Sequence, residues 1–206
     1  MLTLIRREIY DNLVYVLAPC ALSLLTVGIL LYLFLSGVYG PAIPFGGLML
    51  LVLFLAFAAL GAAQMYGDQA RRVSSLLATL ATTRARIFAA RVLTGILVIL
   101  ATLGPVLAAA ILLLRMSVTP FAFYRQMVVE ISATTVLAAL ACYGVGLLVG
   151  GTTSRVWVLA GTFGLLVLCV SLIVVKGFGP EAMLVFAVLG AALLVHTRHQ
   201  FTGASL

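Results

Sequence analysis

The chain has 206 residues, 65% of them hydrophobic and 8% charged, with a mean hydropathy of +1.30, whereas a soluble domain carries roughly 25% charged residues. Its 12 basic and 5 acidic residues cannot cover a soluble surface of this size, so apolar area must face lipid; soluble enzymes, disordered regions and nucleic-acid modules are excluded. The net charge of +7 is spread along the chain rather than gathered in a basic patch, and so reports topology rather than a nucleic-acid partner.

The first element is Leu2 to Leu13. Leu2, Ile5, Ile9 and Leu13 share one helical face, with Arg7, Glu8 and Asp11 opposite. That pattern fits an amphipathic helix lying in the membrane interface over residues 1–12, or an ordinary charged lead-in. No charge then occurs from Asn12 to Gly67, which is too long for one crossing. The Gly- and Pro-containing stretch Ser36 to Pro44 divides it into spans near 13–35 and 45–65. Residues 13–35 are too long for a signal-peptide core and lack an A-x-A cleavage site, so the first span is expected to be retained.

Further uncharged runs at 92–114, 131–154, 156–175 and 182–197 bring the expected spans to six, the last of them short. Gly104-Pro105 is expected to bend the third span. Phe121, Phe123 and Tyr124 with Arg125 read as an outer interfacial anchor. In the fourth span, Thr134, Ala138, Cys142, Gly146 and Gly150 recur at i+4 and form a small-residue stripe suited to close helix packing within the chain.

With the N-terminus in the cytoplasm, Arg6, Arg7, Arg71, Arg72, Arg84, Arg86, Arg91, Arg155 and Arg198 lie inside, while Arg115, Arg125 and Lys176 lie outside. Nine against three sets both termini in the cytoplasm. The fold class expected is therefore an all-α integral membrane protein, a single transmembrane domain over 1–206 with six helices and no soluble domain.

Groups able to do covalent chemistry are scarce. The sequence has no HExxH and no GxSxG, and its two histidines, His196 and His199, sit at the end of the last span. Glu8, Asp11, Asp68, Glu130 and Glu181 all fall at or beyond span ends, which disfavours a proton- or sodium-coupled carrier. The only lysine, Lys176, follows Val175 and so cannot belong to a Walker A loop. Cys20, Cys142 and Cys169 have neither CxxC spacing nor an even number, and no metal site is expected.

Tyr66 to Arg91 is the one substantial cytoplasmic loop expected, with five of the nine inside arginines and Asp68. Within it Leu76, Leu77 and Leu80 line one side of a short helix over 73–84, rimmed by Arg71, Arg72, Arg84 and Arg86. An apolar ridge with a basic rim fits a groove on a partner protein, or lies on the membrane with its arginines on anionic headgroups.

This loop resembles the segment between the second and third spans of ABC-2 type transporter permeases. That family has, in succession, an acidic residue, Gly-Thr, a paired-leucine helix, Pro-Val-Ser-Arg and Gly-Lys. Asp68 takes the acidic place, Leu76 and Leu77 the leucines, Arg84 the arginine, Ile87 the aliphatic after it and Arg91 the lysine. Arg72-Val73 stands where Gly-Thr is usual, and Ala81-Thr82-Thr83 where Pro-Val-Ser is usual. Lys176 to Glu181 is also shorter than the helices that family members fold between their fifth and sixth spans.

The resemblance implies a non-catalytic permease subunit of an ATP-driven exporter in the cytoplasmic (inner) membrane. Ser74, Leu76, Leu77, Leu80 and Arg84 would dock a cytosolic ATPase, flanked by Asp68, Arg71, Arg72, Arg86 and Arg91. The partner ATPase would hold ATP and magnesium, and a second copy or a related subunit would complete the pathway. Other readings stay open: a six-span channel, a secondary carrier, or a permease-like subunit of a haem-handling cytochrome c maturation complex. Ser23, Thr26, Thr94, Thr102, Thr135, Thr162 and Ser171 are the hydroxyls within the spans. Scattered among apolar residues, they suit an amphipathic cargo better than a hydrated sugar.

Overall fold

The computed structural model describes residues 9–10, 12–36, 42–70, 84–117, 121–151, 164 and 179–203. Five long helices account for most of them: α1 (Leu13–Ser36), α2 (Ala42–Ala70), α3 (Arg84–Ser117), α4 (Phe121–Gly150) and α5 (Pro180–Gly203). All five are long and apolar enough to cross a membrane, and no strand occurs among the described residues. The chain is thus an all-α protein of the multi-pass membrane type. Continuous helix is what lipid requires, because backbone N–H and C=O groups find no water there and must bond within the segment. The expected interfacial helix over 1–12 and span over 156–175 lie outside the described residues, apart from helical residues 9–10 and 164 and turn residue 12.

The helices outrun the charge-free stretches that announce them. The fourth begins at Phe121 rather than 131 and passes through Glu130, whose Oε1 accepts from Gln126 Nε2 at 3.0 Å one turn earlier. The last runs to Gly203 rather than 197 and carries His196, Arg198 and His199 exposed on its end. Charge marks where the chain leaves the hydrocarbon, but the backbone ladder continues into the interface. At 1.5 Å per residue, the 29 residues of α2 and 34 of α3 reach about 44 and 51 Å, beyond a hydrocarbon core of roughly 30 Å. Gly104 and Pro105 lie exposed within α3, which is helical on both sides of them.

Helix α4 is the centre of the bundle, with 67% of its apolar window buried against 17% for α1. It packs most extensively on α2 and next on α5, while α1 rests on α3 and α2. Leu53, Phe57 and Leu60 of α2, Ile99 and Leu103 of α3, Ala138, Tyr143 and Leu147 of α4 and Phe186 of α5 form one core. Leu17, Leu24 and Leu35 of α1, Leu97 and Leu100 of α3, and Leu184, Val188 and Val195 of α5 face outward. Lipid tails solvate those side chains as well as a protein core does, so helix association depends on close packing and interhelical hydrogen bonds.

Glycine supplies the close packing. A Cβ on Gly146 would collide with the Ala58 carbonyl, one on Gly150 with the Ala62 carbonyl, and one on Gly61 would stand 2.5 Å from the Tyr143 carbonyl oxygen. Ala58 meets Gly146 and, one turn on, Ala62 meets Gly150, so α2 and α4 run parallel. Ala141 lies against Gly190 and, one turn on, Gly144 against Leu193, so α4 and α5 also run parallel. Between α3 and α4 lie only residues 118–120, too few to cross a bilayer, and these two are antiparallel. The end of α2 and the start of α3 therefore share one side, called here the loop side, with the ends of α4 and α5.

Replacing Gly146 by Val is expected to force α2 and α4 apart and cost about 1–3 kcal/mol or more. Gly28→Ala, where nothing lies within 4 Å of the added methyl, is expected to be neutral or to stabilise by up to about 1 kcal/mol. Thermal melting of the two variants in mild detergent checks both, and equal melting temperatures would refute the close-packed contact.

Candidate functional site

Polar side chains inside the bundle are of two kinds. Thr26, Thr94, Thr102, Thr134, Thr135 and Thr197 each donate to the carbonyl four residues earlier, at 2.7–2.8 Å. Such back-bonding satisfies a hydroxyl on its own helix. Ser23 Oγ donates instead across helices, to the Thr102 carbonyl at 2.6 Å, and ties α1 to α3. Five of the seven hydroxyls considered as cargo-facing are thus bonded to carbonyls and buried within this chain; Thr162 and Ser171 lie outside the described residues.

The second kind is a single cluster joining α2, α3 and α4. Arg91, 2% exposed, stands two turns inside α3 and donates from Nη1 to Met65 Sδ at 3.6 Å. Tyr143, fully buried on α4, places its Oη 2.6 Å from Gln64 Oε1 on α2 and 3.0 Å from the Arg91 carbonyl oxygen on α3. Gly95, one turn after Arg91, makes the room: a Cβ there would collide with the Tyr143 ring. Gln64 is 2% exposed, and its Nε2 has no hydrogen-bond partner among the described residues.

The proton count at Tyr143 is informative. One phenol proton serves one acceptor at a time, yet two acceptors on two helices lie within reach. With the proton on Gln64 Oε1, the Gln64 amide is left as an orphan donor. A half-turn of the carboxamide, which changes no shape, lets Nε2 donate to Tyr143 Oη while Oη donates to the Arg91 carbonyl. That arrangement makes one more hydrogen bond and leaves an acceptor, not a donor, in excess. Buried acceptors are left over more often than buried N–H groups.

The residues singled out from sequence are distributed unevenly over this geometry. Arg91, expected in the 66–91 loop, is a buried helix residue, because α3 starts at Arg84 and carries it inside the bundle. Arg86 is exposed at the start of α3, while Arg84 begins that helix and Asp68 stands in the last turn of α2. Arg71, Arg72, Ser74, Leu76, Leu77 and Leu80 lie outside the described residues. Ala138, Cys142, Gly146 and Gly150 are buried, the two glycines against α2.

Gln64 and Tyr143 were not among the sequence candidates, since each sits in an uncharged run and a charge count passes over both. A signal was present: Gln64 is the only amide within 45–65, and Tyr143 the only aromatic residue within 131–150. Among the described residues no group of three His, Cys, Asp or Glu side chains could hold a metal ion. Compared with known protein families, curated proteins and solved structures, the chain matches none.

Tyr143→Phe strands the whole Gln64 carboxamide in a buried site and is expected to cost about 1–3 kcal/mol. Adding Gln64→Leu removes the stranded group and is expected to return most of that loss, because deleting both partners of a buried hydrogen bond is nearly neutral. A double-mutant cycle of thermal melting checks this, and additive effects would show that the two side chains do not interact.

Proposed function

We propose that the chain is the membrane-spanning permease subunit of an ABC transporter of the ABC-2 type, an exporter lying in the cytoplasmic membrane with both termini inside. The observation that carries this reading is the sequence from the last turn of α2 into α3, with Asp68, Leu76-Leu77, Arg84 and Arg91 in the order the family uses. The helix lengths support it. Because α2 and α3 outreach the hydrocarbon, they can carry the 71–83 segment clear of the lipid, where a cytosolic ATPase would take the leucine ridge.

Six spans are part of the proposal. The parallel run of α4 and α5 supports a return crossing between Gly150 and Pro180, for which the uncharged run 156–175 has the length. The loop side then gathers Arg71, Arg72, Arg84, Arg86, Arg155 and Arg198, which makes it the cytoplasmic side by the positive-inside rule.

The mechanism is mechanical. Two such subunits enclose a pathway, and ATP-driven closure of the docked ATPase pair shifts it between inward- and outward-facing states. The ATPase must bind those states with different affinity, since equal binding would shift nothing. ATP and magnesium belong to the partner, and this chain supplies no covalent step.

In a background without native cysteines, an impermeant thiol reagent applied from outside is expected to label a cysteine at Ala122 and spare one at Gln69. The reverse pattern overturns the proposed orientation. The docking ridge has its own test. Leu77→Asp with Leu80→Asp places two charges in a desolvated groove, at a cost of several kcal/mol, and is expected to abolish ATPase co-purification while membrane insertion continues. Arg84→Ala, which removes one charge from the proposed basic rim, is expected to cost below about 1 kcal/mol. Normal ATPase binding by the double Asp variant would reduce the ridge to a membrane-surface helix.

A further inference from the structure

We propose that Gln64, Tyr143 and Arg91 form a coupling node: Tyr143 shares its one hydroxyl proton between α2 and α3 and so sets where their loop-side ends stand against α4. The proposal deepens the transporter reading and rests on it for its functional half. Three observations carry it. The first is position: Gln64 lies six residues before the end of α2 and Arg91 seven after the start of α3. The node is therefore the buried polar tie next to the two helix ends that bear the proposed docking segment.

The second is the hydrogen-bond count. Two acceptors on two helices, at 2.6 and 3.0 Å, lie within reach of one phenol proton, and the Gln64 Nε2 beside them is buried without a partner among the described residues. Two arrangements follow. In one the proton goes to Gln64 Oε1, which ties α4 to α2 and leaves the Arg91 carbonyl without the phenol. In the other the carboxamide is turned, Gln64 donates to Tyr143, and Tyr143 donates to the Arg91 carbonyl, so that all three helices are joined. Moving between them requires rotation of one amide and one hydroxyl, with no rearrangement of the core. An element with two such discrete states is what coupling between distant sites requires.

The third is space. Gly95 and Gly61 let the Tyr143 ring and backbone approach α3 and α2 at distances that a methyl group at either position would prevent. A polar group in this setting is costly unless bonded, and ordinary packing would be served by Phe at 143 and Leu at 64. The node thus has more polarity than packing needs. Its three residues are positioning residues, acting through the helix ends rather than on any cargo.

The test uses the full chain in lipid nanodiscs, first alone and then with its ATPase. For the chain alone, Tyr143→Phe is expected to raise amide hydrogen exchange about fivefold at both 66–70 and 86–90, the effect of losing one net hydrogen bond, and to leave α1 and α5 unchanged. An increase at neither end, or spread evenly over all helices, overturns the node. With the ATPase, Tyr143→Phe is expected to keep docking and lose transport-coupled hydrolysis several-fold. The Gln64→Leu/Tyr143→Phe double variant separates coupling from mere stability. It is expected to recover melting temperature but not coupled hydrolysis, and recovery of both would make the cluster structural only. If the wild-type chain binds no ATPase, the transporter reading falls, and the exchange measurement still decides whether Tyr143 holds the two helix ends together.

Discussion

The close parallel meeting of α2 and α4 at Gly61, Gly146 and Gly150 constrains everything else in the bundle. In lipid an exposed Leu costs nothing, so the outward leucines of α1, α3 and α5 give the helices no reason to associate. What remains is dispersion at short range and hydrogen bonding between helices. Glycine at three positions lets the α4 backbone reach the carbonyls of Ala58 and Ala62, a distance at which many weak contacts are made at once. That approach also fixes the rotation of α4 about its axis, and with it the direction in which Tyr143 points.

From that rotation follows the polar cluster. Tyr143 is brought between Gln64 and the start of α3, and Gly95 on α3 leaves room for its ring. Arg91 enters the bundle because α3 is already helical from Arg84. Burial of a guanidinium and a carboxamide is expensive in an apolar medium, and such groups inside membrane proteins commonly mark function. By contrast the buried threonines are satisfied on their own helices and impose nothing on their neighbours. The difference between these two classes of polar group, self-satisfied and interhelical, sets the cluster and the Ser23 bond apart from the buried threonines.

The directions of the helices connect the cluster to the membrane. Parallel pairs α2–α4 and α4–α5 put three helix C-termini and the N-terminus of α3 on one side, where Arg84, Arg86 and Arg198 stand among the described residues. On the transporter reading, force applied to the loop-side ends of α2 and α3 reaches α4 directly through the cluster and reaches α5 through the α4 contact at Ala141 and Gly144. Helix α1, joined to the bundle by the Ser23 bond to Thr102 and otherwise largely exposed to lipid, lies outside that line.

The membrane class and the five described apolar helices were legible from the residues alone, because a bilayer demands long uncharged runs and such runs are visible without any structure. Composition was enough for the all-helical membrane character, and the gaps between charges placed all five described helices to within about a turn on at least one side. The ends were not legible, since a charged residue such as Glu130 or Arg198 leaves the lipid while its helix continues. Only the tertiary structure decided what lies inside. A small-residue stripe on α4 does not say which helix it meets, and Gln64, Tyr143 and Arg91, separated by 27 to 79 positions in the chain, become neighbours only when α2 and α4 are held in register by their glycines. Arg91 shows the limit most plainly: one arginine among the others of the loop by sequence, it is taken into the bundle by the helix that begins seven residues before it.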